Sequence, residues 1–176
     1  KNRIYLDNEF SSPNFNADSG LTPDELDKNL KRIFDEKIDS VPTVTLRAEL
    51  FSYLYDNVQI EVNPKNLFAA KINHQKVFCW YMDFFKEHIL KKYAPKTLEL
   101  QKYAIEWGCV PGIDYHHTLP NWNDIHALGF VGLLNRAKER KEELLLNGGY
   151  TEEEMLFIES VITVYSAIMR LLTRIR

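Results

Sequence analysis

Two cysteines, Cys79 and Cys109, are all the sequence holds. Thirty positions apart, they form neither a Cys-x-x-Cys pair nor a disulfide framework, so a reducing, cytoplasmic setting is expected. An excess of one charge is also lacking: 22 Lys and Arg stand against 25 Asp and Glu, and the basic residues are interleaved with acids. Neither nucleic acid nor membrane is expected as a partner. No unbroken apolar run approaches the roughly 18 residues of a membrane-spanning helix, and the first residues lack the apolar stretch of a signal peptide. No internal repeat with the period of a solenoid is found either. The sequence begins without methionine and ends at LLTRIR inside an apolar helical pattern, from which a piece of a longer protein is expected.

What is present fits one large domain. The 176 residues are 45% apolar and 27% charged, near the globular average. Such a length buries roughly 70% of the surface of its unfolded form. Residues 1–20 mix Asn, Ser, Asp and Pro with isolated aromatics and read as an extended or mobile arm. A helix then opens on a capping box, Thr22 to Glu25 with Pro23 between, and buries Leu26, Leu30, Ile33 and Phe34 while Asp27, Lys28, Lys31 and Glu36 face water.

Beyond Pro42, helical spacing resumes through Leu46, Leu50, Tyr53 and Leu54, and the alternation from Ile60 predicts a short strand and turn. Residues 76–93 are apolar on most sides at their start, as a central helix would be; Pro95 stops them, and Thr97 opens a short helix that Gly108 ends. From Trp122 to Leu146 one long helix is expected, with Ile125, Leu128, Val131 and Leu134 on a stripe. Gly148 and Gly149 close it. A second capping box, Thr151 to Glu154, starts the last helix, whose buried face is predicted to carry Ile158, Val161, Ile162, Tyr165, Ile168, Met169 and Leu172. The last two helices make an antiparallel hairpin, and the fold class is a mainly α, multi-helix orthogonal or antiparallel bundle with at most a short strand pair.

Few residues carry chemistry. His116 and His117 are adjacent, which in an extended segment points them to opposite sides, and His126 has no Glu at His-Glu-x-x-His spacing, so no metal site is expected. One of the paired imidazoles is expected to be buried and hydrogen-bonded and the other solvated. Cys109 has no flanking cation to favour a thiolate and reads as a packed thiol, although a Cys109 and His117 nucleophile pair stays open. Cys79 reads as core. Gly129 and Gly132 each cost about 1 kcal/mol in mid-helix, from which close approach of another backbone is expected.

The stretch from His117, HTLPNWNDIHALGFVGLL, resembles the amino-terminal region of glycyl radical enzymes of the pyruvate formate-lyase type. In that family a His-x-x-Pro-(Asp/Asn)-aromatic loop leads into a helix with Gly-x-x-Gly. Three further pieces resemble the family in order: PTVTLRAELFSYLY, NPKNLFAAKIN and FIESVITVYSAIMRLLTRI, so that the likeness covers roughly residues 40–176. It implies a helical amino-terminal domain over 21–176, part of a much longer lyase or dehydratase built on a ten-stranded α/β barrel. There a glycyl radical, installed by an activating enzyme that uses S-adenosylmethionine and an iron-sulfur cluster, oxidises a cysteine to the thiyl that abstracts hydrogen from substrate.

Implied partners are the barrel of the parent chain, the activating enzyme and a second copy in a homodimer. The fragment itself would bind no cofactor and be inert, in an anaerobic cytoplasm. His117 matches a position where some dehydratase members place a substrate-contacting histidine, which implies a substrate-binding role. Cys109 does not inherit the thiyl role: GCVPG resembles the Gly-Cys-Val-Glu loop of dehydratases, but it precedes the His-x-x-Pro segment and Pro111 replaces the glutamate. His116 and the stretch Ala69 to Ile72 depart from the family pattern and leave the subfamily open. The alternative from another class is a stand-alone helical interaction module without catalytic activity.

Overall fold

The computed structural model describes residues 15–16, 20–62, 87–88, 90–108 and 121–175, which are mainly helical. The expected short strand pair is present: β1 (Phe15–Asn16) runs antiparallel to β2 (Glu61–Val62), with Phe15 opposite Val62 and Asn16 opposite Glu61. The end of the amino-terminal arm is thereby docked. Gly20 lies so close to the chain after the second helix that a Cβ built on it would stand 2.5 Å from the Gln59 Cα. Leu21 then donates its N–H to the Asn57 carbonyl at 2.8 Å. The arm residues 1–14 and 17–19 lie outside the described residues.

Helix α1 (Pro23–Lys37) starts as its sequence dictates. The Thr22 hydroxyl accepts from the Glu25 N–H, and the Glu25 carboxylate accepts the Thr22 N–H at 3.0 Å. The Thr22 hydroxyl also donates to the Glu25 carboxylate at 2.7 Å, and that bond first, then the one from the Thr22 N–H, holds the Glu25 carboxyl below its ordinary range. Helix α2 (Thr43–Asn57) follows after a five-residue turn and runs antiparallel to α1, with Lys37 paired to Glu49 at 2.6 Å at one end and Leu21 bridged to Val58 at the other. Between them lies the core: Leu26, Leu30 and Phe34 from α1 meet Leu46, Leu50 and Leu54 from α2, closed by Val58, Ile60 and Leu171. One expectation on α1 fails. Asp27 is half-buried with one carboxylate oxygen buried and unpartnered among the described residues; burial, then the charge of Asp24, pushes its carboxyl up.

Residues 87, 88 and 90–93 are helical, and His88 sets its ring edge-on to Phe34 at 5.9 Å. The rest of the expected central helix lies outside the described residues. Helix α3 (Pro95–Glu106) begins two residues before the predicted start: Pro95 occupies its first turn, where a missing N–H costs nothing, and Ala94 is the cap residue. Trp107 caps its end and Gly108 follows with φ +74°. No α3 residue is buried, and Leu100, Tyr103 and Ile105 are exposed.

Helices α4 (Trp122–Asn147) and α5 (Glu152–Ile175) form the expected antiparallel hairpin, tied by Lys141 to Glu159 at 2.7 Å and by the Phe130 and Tyr165 rings at 6.4 Å. Gly148 and Gly149 turn the chain at φ +67° and +73°, and Thr151 with Glu154 forms the second capping box. Among the described helices α5 packs along both α4 and α2, and it runs parallel to α2, since Arg170 meets Ser52 and Arg174, further along, meets Val58.

The buried positions of α5 are Ser160, Ala167 and Leu171, none of them in the expected set, and the first two are small. A helix held between two neighbours puts small residues where the axes approach closest, and its bulky ones flank that seam on both sides. By length and composition α5 is also apolar enough to cross a membrane, a test that the core helix of a soluble protein passes as well.

Candidate functional site

His117, the residue expected to touch substrate, lies outside the described residues, as do His116, Cys79 and Cys109. The geometry the structure does describe is the helix that follows that loop. The Asn121 side chain accepts from the Asp124 N–H at 3.3 Å and starts α4 one residue after Pro120. His126 is exposed and stands edge-on to the Trp122 ring at 5.9 Å. Among the described residues no group of three or more His, Cys, Asp or Glu side chains is placed to hold a metal ion.

Helix α4 is not one straight rod. Gly129 adopts φ 58° and ψ −178°, a conformation essentially restricted to glycine, and the helix bends there. Among the described residues nothing stands within 4 Å of a Cβ built on Gly129, so none of them makes the expected close backbone approach to this glycine. At Gly132 the neighbour is the helix itself: a Cβ there would stand 2.8 Å from the Leu128 Cβ. Residues four apart in a straight helix keep their Cβ atoms about 5–6 Å apart, so the bend has folded Leu128 onto Gly132. One glycine supplies the dihedral angle and the other supplies the room.

An ion pair spans the bend. Arg136 Nη2 reaches Asp124 Oδ2 at 2.8 Å, although twelve residues of straight helix would separate the two by about 18 Å along the axis. The bend also displaces the apolar stripe. Of the expected set Ile125, Leu128, Val131 and Leu134, Leu128 is 39% and Val131 55% exposed, and the buried residues of α4 are Leu133 and Ala137. Three-residue steps drift by about 60° each, so Ile125 and Leu134 fall on opposite sides even of a straight helix, and Gly129, which does not make a helical step, shifts the phase further.

A second constellation joins α2 to α5. Arg170 donates from Nε and Nη2 to the two oxygens of Asp56 at 2.7 and 2.8 Å, and from Nη2 to the Ser52 hydroxyl at 2.9 Å. One turn on, Arg174 gives its guanidinium to the carbonyls of Tyr55, Asp56 and Val58 at 2.8, 2.9 and 2.6 Å. These are acceptors that the end of α2 cannot satisfy within itself. Asp56 is held below its ordinary range, first by the Arg170 hydrogen bond, and Arg170 is raised in return. A carboxylate whose pKa is held down by a guanidinium is a weak base near neutral pH, and the cluster acts as a clasp. Arginines at 170 and 174 in an otherwise apolar helix are the sequence signal for it; what they grip cannot be read from spacing.

Above the clasp the parallel helices α2 and α5 leave an open, mostly apolar groove of about 470 Å³ between Val44, Ala48 and Phe51 on one side and Phe157, Val161 and Val164 on the other. Phe157 is 60% exposed at its rim. Compared with known proteins, the chain matches no family model, no curated protein and no solved structure.

Proposed function

We propose that this chain is the helical amino-terminal part of a glycyl radical lyase or dehydratase of the pyruvate formate-lyase type. In this reading it forms an outer layer on a catalytic barrel and lends His117 to the substrate pocket, while the radical and the thiyl cysteine come from elsewhere in the parent enzyme. The observation that carries the reading is the ordered run from His117 and Pro120 into Gly129 and Gly132, the segment that resembles the family.

The chemistry of the described residues is in keeping with a scaffold. The Asp56 carboxylate is spent on a clasp, and apolar side chains stand exposed on α3, at the start of α4 and on α5. Exposed aromatic and aliphatic residues gathered in patches are what a layer that seats against a larger body presents. The reading frame downstream of Arg176 tests it: several hundred further residues with a cysteine loop and a glycine loop are expected, and a stop codon at that point refutes it. In the full-length enzyme, His117→Ala is expected to weaken substrate binding or turnover. Unchanged values for both remove His117 from the pocket.

The second reading, a helical interaction module without catalysis, is favoured by the apolar groove between α2 and α5. A parent chain that carries no radical machinery would leave it standing.

A further inference from the structure

We propose that the bend in α4 is a two-state hinge, in which residues 122–128 fold back under an Asp124 to Arg136 latch or swing out to continue the helix. The inference is independent of the enzyme reading and rests on four features of this segment.

The arm before the bend has no fully buried residue, so packing holds it only weakly: Trp122 is 56% exposed, and both buried residues of α4 lie beyond Gly129. Among the described residues no atom stands within 4 Å of a Cβ built on Gly129, so none of them enforces its left-handed φ. Among the described residues the arm is tied back by the ion pair between Asp124 and Arg136, with side chains 56% exposed for Arg136 and 35% for Asp124. An exposed pair of this kind is a weak latch, sensitive to salt.

The fourth feature is the pattern itself. In an unbroken helix the three-residue step from Leu128 to Val131 sets those two side chains about 60° apart on one face, whereas the bent form leaves both exposed. The sequence therefore holds an apolar pair for the straight state and, in Gly129, Gly132 and the latch, the means to reach the bent one.

The test is a distance measurement on the chain, with spin labels carried by unnatural residues at Asn123 and Glu139 so that the native cysteines stay. Both positions are exposed. In the straight state the labelled positions stand about 24 Å apart along the axis, and in the bent state much closer. At low salt both distances are expected, the short one dominant. Arg136→Gln is expected to shift the ratio toward the long distance by about fivefold, as is high salt, and the charge swap Asp124→Arg with Arg136→Asp is expected to restore it. Gly132→Ala, which places a methyl group on Leu128 in the bent form alone, is expected to leave only the long distance. A single short distance unmoved by Arg136→Gln and by salt overturns the hinge in favour of a rigid elbow. A bend that survives Gly132→Ala overturns it too, and circular dichroism of each variant confirms that the bundle is intact.

Discussion

Replacing Arg174 by methionine removes a guanidinium and keeps its apolar stem. In the folded chain that guanidinium serves three carbonyls at the end of α2, and all three are part-buried at the junction with α5. A hydrogen bond from a charged donor contributes about 1.5–3 kcal/mol, but three on one group do not add, and water reaches part of this helix end; a net loss of about 2–3 kcal/mol follows. For a chain of this size that lowers Tm by about 5–10 °C. Urea titration followed by far-ultraviolet circular dichroism reads the change as a lower midpoint at unchanged slope. Arg174→Lys is expected to recover only part of it, since one ammonium has no planar fork to span three acceptors. A methionine variant within about 0.5 kcal/mol of the parent, the scatter of an ordinary surface substitution, refutes the reasoning, and so does a lysine variant equal to the parent.

Two further perturbations probe other parts of the account. Asp56→Asn weakens an ion pair that is partly exposed on both sides, so the loss near neutral pH is expected to stay within about 1 kcal/mol. Because folding depresses the Asp56 pKa, its contribution is complete above the unfolded value of about 3.9 and is lost as pH falls through the lower folded value. The gap between parent and variant should thus be flat from pH 5 to 7 and close in acid; a gap that widens in acid contradicts the assignment. Gly20→Ala forces a methyl group against the Gln59 backbone and is expected to cost about 1–3 kcal/mol in a thermal melt, whereas a neutral result would mean that the arm is not docked there.

Local rules written in residue types could be read from the sequence alone. Thr22 with Glu25 and Thr151 with Glu154 form the expected capping boxes, and the Gly148 and Gly149 turn makes the α4 and α5 hairpin. Features that depend on a distant partner could not be read. The parallel pairing of α2 with α5 is decided by two arginines meeting a helix end more than a hundred residues away, and no periodicity encodes that distance. Ser160 and Ala167 escape a search for large apolar residues because close helix packing selects small ones. The cost of Gly129 and Gly132 marks the bend but not its cause, since a glycine-only dihedral angle and a contact from one's own preceding turn leave the same composition as a packed interface. His117 lies outside the described residues, so its proposed role rests on the sequence resemblance.

The central claim is that these helices belong to an enzyme that works through a protein-borne radical. The direct measurement is electron paramagnetic resonance of the protein encoded by the whole reading frame, incubated anaerobically with an iron-sulfur activating enzyme, S-adenosylmethionine and a reductant. The account predicts a glycine-centred radical that oxygen destroys and that substitution of the loop glycine abolishes. A fully activated mixture that stays silent, with a control glycyl radical enzyme turning over beside it, would contradict the account.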